Sequence, residues 1–206
     1  MSTGMSTGMR IAVLGTGQVG RALAGRLSGL GHEVGMGTRD PGATGAREEY
    51  AAWAADHPAV GLTSFAPAAA GLDDKVLLDV SNPLDHSEGF PPRLFVKDDD
   101  SLAETIQRAH PRAKVVKSLN TMNNSVMVDP QALGEPTTVF VSGDDAAAKA
   151  TVTALLQEMG HQDVLDLGPL GSARGAEMWL PLWIRLAMAL GGSDFNLRVV
   201  RGPSLS

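Results

Sequence analysis

The chain has 206 residues, enough for one good core with a small C-terminal appendage. Apolar residues make up 43% and charged residues 19%, an ordinary globular balance, and a formal net charge of -6 argues against a nucleic-acid or anionic-membrane surface. With no cysteine, disulfides, thiolate nucleophiles, iron–sulfur clusters and cysteine zinc sites are excluded together, which fits cytoplasmic residence. Residues 1–9 begin with a repeated Met-Ser-Thr-Gly and read as a disordered leader, without the basic region or apolar core of a signal peptide. No apolar run is long enough to span a membrane.

The first element is a strand over Arg10 to Leu14, read as central and buried. A helix follows from Gln18 to Leu30, with Val19, Leu23, Leu27 and Leu30 on one face. Glu33 to Gly37 makes a second strand, Gly45 to Asp56 an amphipathic helix carrying Tyr50 and Trp53, and Val60 to Phe65 a short third strand. Only a helical turn, Ala66 to Ala70, fits before the strand Lys75 to Val80. A parallel crossover needs a dozen or more residues, so either Val60 to Phe65 is not a full strand or this region joins the sheet differently.

A Gly/Pro-rich loop runs to about Asp100. Ser101 and Glu104 form a capping box over the helix Leu102 to Ala109. Strands at Lys114 to Leu119, Thr137 to Val141 and Asp163 to Leu167 alternate with the polar cluster Asn120 to Asn124 and the helix Asp144 to Met159, which has an acidic first turn. Ala173 to Leu190 is an apolar helix that Pro181 must kink or break. Its Trp179 and Trp183 suit a subunit interface or a pocket wall. The alternation specifies an α/β fold with a mainly parallel open sheet and helices on both faces.

The chemistry concentrates in Gly15-Thr16-Gly17-Gln18-Val19-Gly20. Gly15 permits the tight turn out of the strand, Gly17 admits a pyrophosphate to the backbone, and Gly20 lets the helix sit close. The phosphates then meet the free amides of the helix start. Thr38-Arg39 stands at the end of the second strand, where an NAD site places an acidic residue and an NADP site needs a hydroxyl and a cation. Arg39 can hold a 2′-phosphate with paired charged hydrogen bonds. Two alternatives stay open: Asp40 swings in as a ribose ligand, or Arg39 is a solvent arginine paired with Asp40.

Ser81-Asn82-Pro83 and Asn120-Thr121-Met122 both follow strands, at the sheet edge where ligands bind. Their amides and hydroxyls can orient the nicotinamide ribose, the carboxamide or a substrate carbonyl, or be structural turns. His86, in the loop after Asn82, is a candidate substrate contact. There is no metal-ligand cluster, no GxSxG elbow and no ATP-type phosphate loop. No catalytic acid or base is identified, and no metal is expected.

The sequence resembles the family of NADPH-dependent coenzyme F420 reductases. The likeness rests on the glycine turn, on Gly31-His32-Glu33-Val34 leading to Gly37-Thr38-Arg39, on Asp79-Val80-Ser81-Asn82-Pro83 and on Ser118-Leu119-Asn120-Thr121-Met122. It extends to Val139-Phe140-Val141-Ser142-Gly143-Asp144-Asp145 and Leu167-Gly168-Pro169-Leu170. The resemblance implies a Rossmann-type doubly wound sheet with a small helical C-terminal part. It divides the chain into an NADP-binding domain over residues 10–136, shortened between 66 and 75, and an extension over 137–206 with a substrate-pocket and dimerisation helix.

It further implies a cytoplasmic homodimer that passes hydride between NADP(H) and F420, with no nucleic-acid or membrane partner. Such a transfer asks for alignment and exclusion of water, so a catalytic acid or base need not exist. The family pattern carries a further strand and helix between the regions matching Ala66 to Ala70 and Lys75 to Val80, which this chain lacks. A flavin, a quinone or a small carbonyl or imine compound remains an alternative acceptor, and a non-catalytic NADPH-binding redox sensor an alternative function.

Overall fold

A computed structural model describes residues 8–68 and 71–202. The leader through residue 7 and the last two residues of the Ala66 to Ala70 turn lie outside them. The chain divides into two compact units, Met1–Ala70 and Gly71–Ser206.

The first unit runs β1 (Arg10–Leu14), α1 (Gln18–Gly29), β2 (Glu33–Thr38), α2 (Pro41–Gly45), α3 (Glu48–Asp56), β3 (Gly61–Ser64) and α4 (Phe65–Ala68). Its strands pair in parallel in the order β1-β2-β3, so Leu14 lies beside Gly37 and Thr38 beside Ser64. The central strand is therefore β2, with Val34, Met36 and Thr38 buried. This corrects the expectation for β1, whose one ladder partner among the described residues is β2 and whose Leu14 is 45% exposed. Leu23, Ala24 and Leu27 of α1 are buried at the expected helical spacing.

The helix expected over Gly45 to Asp56 is α3, starting at Glu48, and a further short helix, α2, precedes it. Asp40 caps α2 by accepting from Ala43 N at 2.9 Å, Pro41 occupies its start, and an extended Arg47 separates it from α3. In α3, Tyr50 is buried and Trp53 stacks on His57 with ring centroids 4.4 Å apart.

The second unit contains β4 (Val76–Asp79), the small hairpin β5 (Leu84–Asp85) and β6 (Arg93–Leu94), α5 (Leu102–Ala109), β7 (Lys114–Ser118), α6 (Asn124–Val128), β8 (Thr138–Gly143), α7 (Ala146–Met159), β9 (Asp163–Asp166), α8 (Ala173–Met178) and α9 (Leu180–Leu190). Its sheet has the order β4-β7-β8-β9 and is parallel except for the antiparallel β7–β8 pair. The fold class is α/β and mainly parallel. The boundary expected at residues 136 and 137 falls inside this unit, where β8 is laddered to β7.

The short join is explained by the ladders. β3 is a full strand paired with β2, while β4 pairs with β7 in a different ladder. No crossover within one ladder has to fit into residues 65–75.

Val115 and Val116 of β7, Val139 and Val141 of β8, and Val152, Leu156 and Met159 of α7 form the buried centre of the unit. The capping box at α5 departs from the expected form. Ser101 Oγ accepts from Glu104 N at 3.1 Å, but the Glu104 carboxylate takes the Ser101 hydroxyl and both arms of Arg174 (2.9 and 2.7 Å) instead of reaching back to Ser101 N. The acidic pair before α7 also lies outside the helix: Asp145 caps it through Ala148 N, and Asp144 accepts from Leu170 N. Pro181 breaks the last helical run, with Trp179 as the junction of α8 and α9.

His161, 2% exposed, donates through Nε2 to the Met127 carbonyl at 3.0 Å. Burial holds its pKa below the ordinary 6.5. The unfolded chain binds this proton more readily, so the stability contributed by neutral His161 is complete above about pH 6.5 and is lost as pH falls towards the folded value. Melting temperature is expected to fall from pH 7 to pH 5 more steeply in wild type than in His161→Gln. Equal slopes would show that His161 does not set this dependence.

Candidate functional site

Two sets of residues carry the candidate chemistry, one in each unit. In the first unit, Gly15 leaves β1 with φ of +120°, a backbone that a side chain rarely tolerates, and its N–H is fixed to Gly37 O at 2.9 Å. A Cβ on Gly20 would overlap the Gly15 carbonyl oxygen, so the helix approaches as closely as the turn allows. Gly17 differs: nothing lies within 4 Å of where its Cβ would be. Gly17 is also the N-cap of α1 and supplies no side-chain cap. The first-turn N–H groups of α1 have no acceptor within the helix, an arrangement that suits an anion. Thr16 and Val19 are half-buried and Gln18 is exposed.

At the end of β2, Thr38 is buried and its hydroxyl meets that of Thr44 at 2.9 Å. Asp40 is engaged as the cap of α2. Arg39 is exposed and, among the described residues, forms no ion pair with Asp40 or any other carboxylate. Arg21, one turn into α1, is by contrast committed to Glu49. The Arg39–Asp40 ion pair of the second alternative is thus not formed among the described residues.

In the second unit, the ends of β4 and β7 bring together residues 38 apart in sequence. Asn82 Nδ2 donates to Asn120 O at 2.9 Å, and Asn120 Nδ2 donates to Asn82 Oδ1 at 3.0 Å and to Ala176 O at 3.1 Å. The two amides brace each other. Leu119, just before Asn120, is fully buried with φ of +63°, a strained conformation for a branched side chain that the surrounding packing enforces. Thr121 is 2% exposed with its hydroxyl unpartnered, Met122 and Pro83 are buried, and Ser81 is exposed. His86 is exposed on the hairpin side of the turn.

Beneath the Ser81–Asn82 turn lies a cluster that the sequence reading missed. Lys117, 1% exposed, donates from Nζ to Asp79 Oδ2 (2.8 Å), Glu177 Oε1 (2.8 Å) and the Ser81 carbonyl (2.6 Å). All three ammonium protons are used. Asp79 also accepts from Ser81 N and Ser81 Oγ, and Glu177 from Leu102 N and Ala103 N at the start of α5. A faint sequence signal existed. Asp79 is the lone charge of its apolar strand, Lys117 is one of two lysines in its strand, and the two are register partners in the ladder. Glu177 gave none, since it reads as one polar position on an apolar helix.

Among the described residues no group of three His, Asp or Glu side chains could hold a metal, and no helix is long and apolar enough to cross a membrane.

A family model described as "NADP oxidoreductase coenzyme F420-dependent" matches residues 10–80. A crystal structure of a candidate F420-dependent NADP-reductase from Arthrobacter sp. FB24 is 53% identical, with a TM-score of 0.92 over 94% of this chain and 100% of that one. The metalloreductase STEAP3 of Rattus norvegicus is 31% identical over 201 residues, covering 88% of this chain and 39% of that protein. The F420-dependent NADP reductase of Methanocaldococcus jannaschii is 28% identical over 131 residues, 62% of this chain and 57% of that protein. The chain thus spans well under two thirds of the length of the two curated relatives. With a close structural relative matched over its full length and the family model over the glycine turn, the chain belongs to the coenzyme F420-dependent NADP oxidoreductase family, a family of NADP-linked oxidoreductases.

Proposed function

We propose that the protein is an NADP(H)-dependent oxidoreductase that passes hydride between the nicotinamide and coenzyme F420. The observation that carries the nucleotide choice is Arg39: it follows β2 without an ion pair among the described residues, while the neighbouring acid, Asp40, is spent on a helix cap. A 2′-phosphate is the ligand such a guanidinium suits, with Thr38 beside it. Gly15, Thr16, Gly17, Gln18, Val19 and Gly20 take the pyrophosphate on the amides of α1. The braced turns Ser81-Asn82-Pro83 and Asn120-Thr121-Met122 serve the nicotinamide half and the acceptor.

The cofactor supplies the hydride. The chain's part is to bind, align and exclude water, which requires no catalytic acid or base. The F420 acceptor is supported by the family and by the names of two relatives. Residues 10–136 as the nucleotide-binding part and 137–206 as the pocket-forming part belong to the same reading. So do cytoplasmic residence, in line with the cysteine-free composition, and a homodimer, supported by the exposed Leu182, Met188 and Leu190 of α9. The dimer is checked by the mass in solution.

Arg39→Ala is expected to weaken NADPH binding about 10- to 100-fold, the loss of one or two charge-assisted hydrogen bonds of about 1.5–3 kcal/mol, and to leave NADH binding unchanged. Calorimetric titration with both nucleotides, followed by hydride-transfer assays on F420, FMN, FAD and a quinone panel, tests the reading. Equal wild-type affinity for NADPH and NADH would sink the cofactor choice. Tight NADPH binding with oxidation by FMN or a quinone but not F420 would replace the acceptor. No oxidation by any of them would turn the reading to a sensor.

A further inference from the structure

The Lys117 cluster has a geometric consequence for the turn above it. In a trans peptide the N–H points opposite to the C=O. The Ser81 carbonyl is held inward by Lys117 Nζ at 2.6 Å, so the Asn82 N–H of the same peptide is turned away from the buried cluster. Among the described residues no acceptor takes that N–H. The ammonium cannot shift to release it, because Asp79 and Glu177 hold its other two protons and are themselves fixed by Ser81, Leu102 and Ala103.

We infer that Lys117 is a positioning residue: by drawing the Ser81 carbonyl into the interior, it presents the Asn82 main-chain N–H as a hydrogen-bond donor to an oxygen of the nicotinamide half of the cofactor. This rests on the proposal that the Ser81-Asn82-Pro83 turn serves that half. Asp79 and Glu177 act through Lys117, and the Asn82–Asn120 amide pair keeps the turn from rotating about the anchored peptide.

The test compares two ligands. NADPH carries the nicotinamide half, and adenosine 2′,5′-bisphosphate carries only the part assigned to the glycine turn and Arg39. In Lys117→Met, NADPH affinity is expected to fall about tenfold, the worth of one hydrogen bond of about 1.4 kcal/mol, while bisphosphate affinity stays within about twofold.

Because Lys117→Met leaves two buried acids without their partner, the triple variant Asp79→Asn, Lys117→Met, Glu177→Gln is measured beside it. Neutral replacement of a buried ionic triad can preserve folding, and the Ser81 carbonyl remains unanchored. The triple variant is expected to recover melting temperature and to keep the tenfold NADPH loss. Recovery of NADPH affinity together with melting temperature would overturn the inference, as would equal losses for both ligands or unchanged NADPH binding in Lys117→Met. If the unmodified chain binds the bisphosphate as tightly as NADPH, the assignment of the turn fails and the inference with it. That result is distinct because it needs no variant.

Discussion

Alanine in place of Gly20 is expected to cost NADPH binding at least about 100-fold and to lower the melting temperature as well. The added Cβ would overlap the Gly15 carbonyl oxygen, a main-chain atom at the start of the turn, so it cannot be accommodated by a side-chain rotation. Either α1 moves away from β1 or the turn opens. Overpacking of this kind costs about 1–3 kcal/mol in stability, and it displaces the amides that would face the phosphates.

Gly17→Ala separates the two consequences. No atom lies within 4 Å of the new methyl, and Gly17 has an ordinary extended backbone with φ of -73°. Melting temperature should therefore hardly change while NADPH affinity still falls, because the methyl would occupy the space that the proposed function gives to the pyrophosphate. Thermal melts and calorimetric titration of both variants make the comparison. Wild-type affinity in Gly17→Ala would show that no phosphate approaches there.

Glu177→Ala is expected to remove about 3–5 kcal/mol of stability, the cost of leaving a buried ionic partner uncompensated. The carboxylate accepts from Leu102 N, Ala103 N and Lys117 Nζ at 2% exposure, so its loss orphans two helix-start amides and one ammonium proton together. Set against a typical stability of about 5–15 kcal/mol, this is a large share. Glu177→Gln should cost less, since its amide oxygen still accepts from α5. Urea unfolding followed by tryptophan fluorescence measures both. A loss below about 1 kcal/mol for Glu177→Ala would mean that the buried cluster contributes little.

How much of this was readable in advance differs between the two halves of the site. The glycine turn and Thr38-Arg39 are local features. Their geometry depends on the backbone within a few residues and on one strand pairing, so sequence spacing suffices to locate them. The fate of Asp40 was less visible, because an acid after a strand end serves equally as a ribose ligand or as the cap of a following helix. In the structure its carboxylate takes the amide of Ala43, three residues on. The Asn82–Asn120 brace and the Lys117 cluster depend on contacts between residues 38 or more apart, and no periodicity encodes those.

The sequence by itself determined the main strands and helices, though not α2, α6 or the β5–β6 hairpin, together with the glycine turn, the cation after β2 and the break at Pro181, because these follow from backbone sterics and the period of apolar residues. It also exposed the short join from Ala66 to Lys75. Only the tertiary structure decided that β2, not β1, is the buried strand of the first ladder, that β8 runs antiparallel to β7, and that β3 and β4 belong to separate ladders. Strand partners are chosen by burial over the whole chain, and local sequence is nearly silent about them. The same holds for Lys117. A lysine in an apolar strand becomes a buried anchor only where two distant carboxylates and a carbonyl arrive to take its three protons.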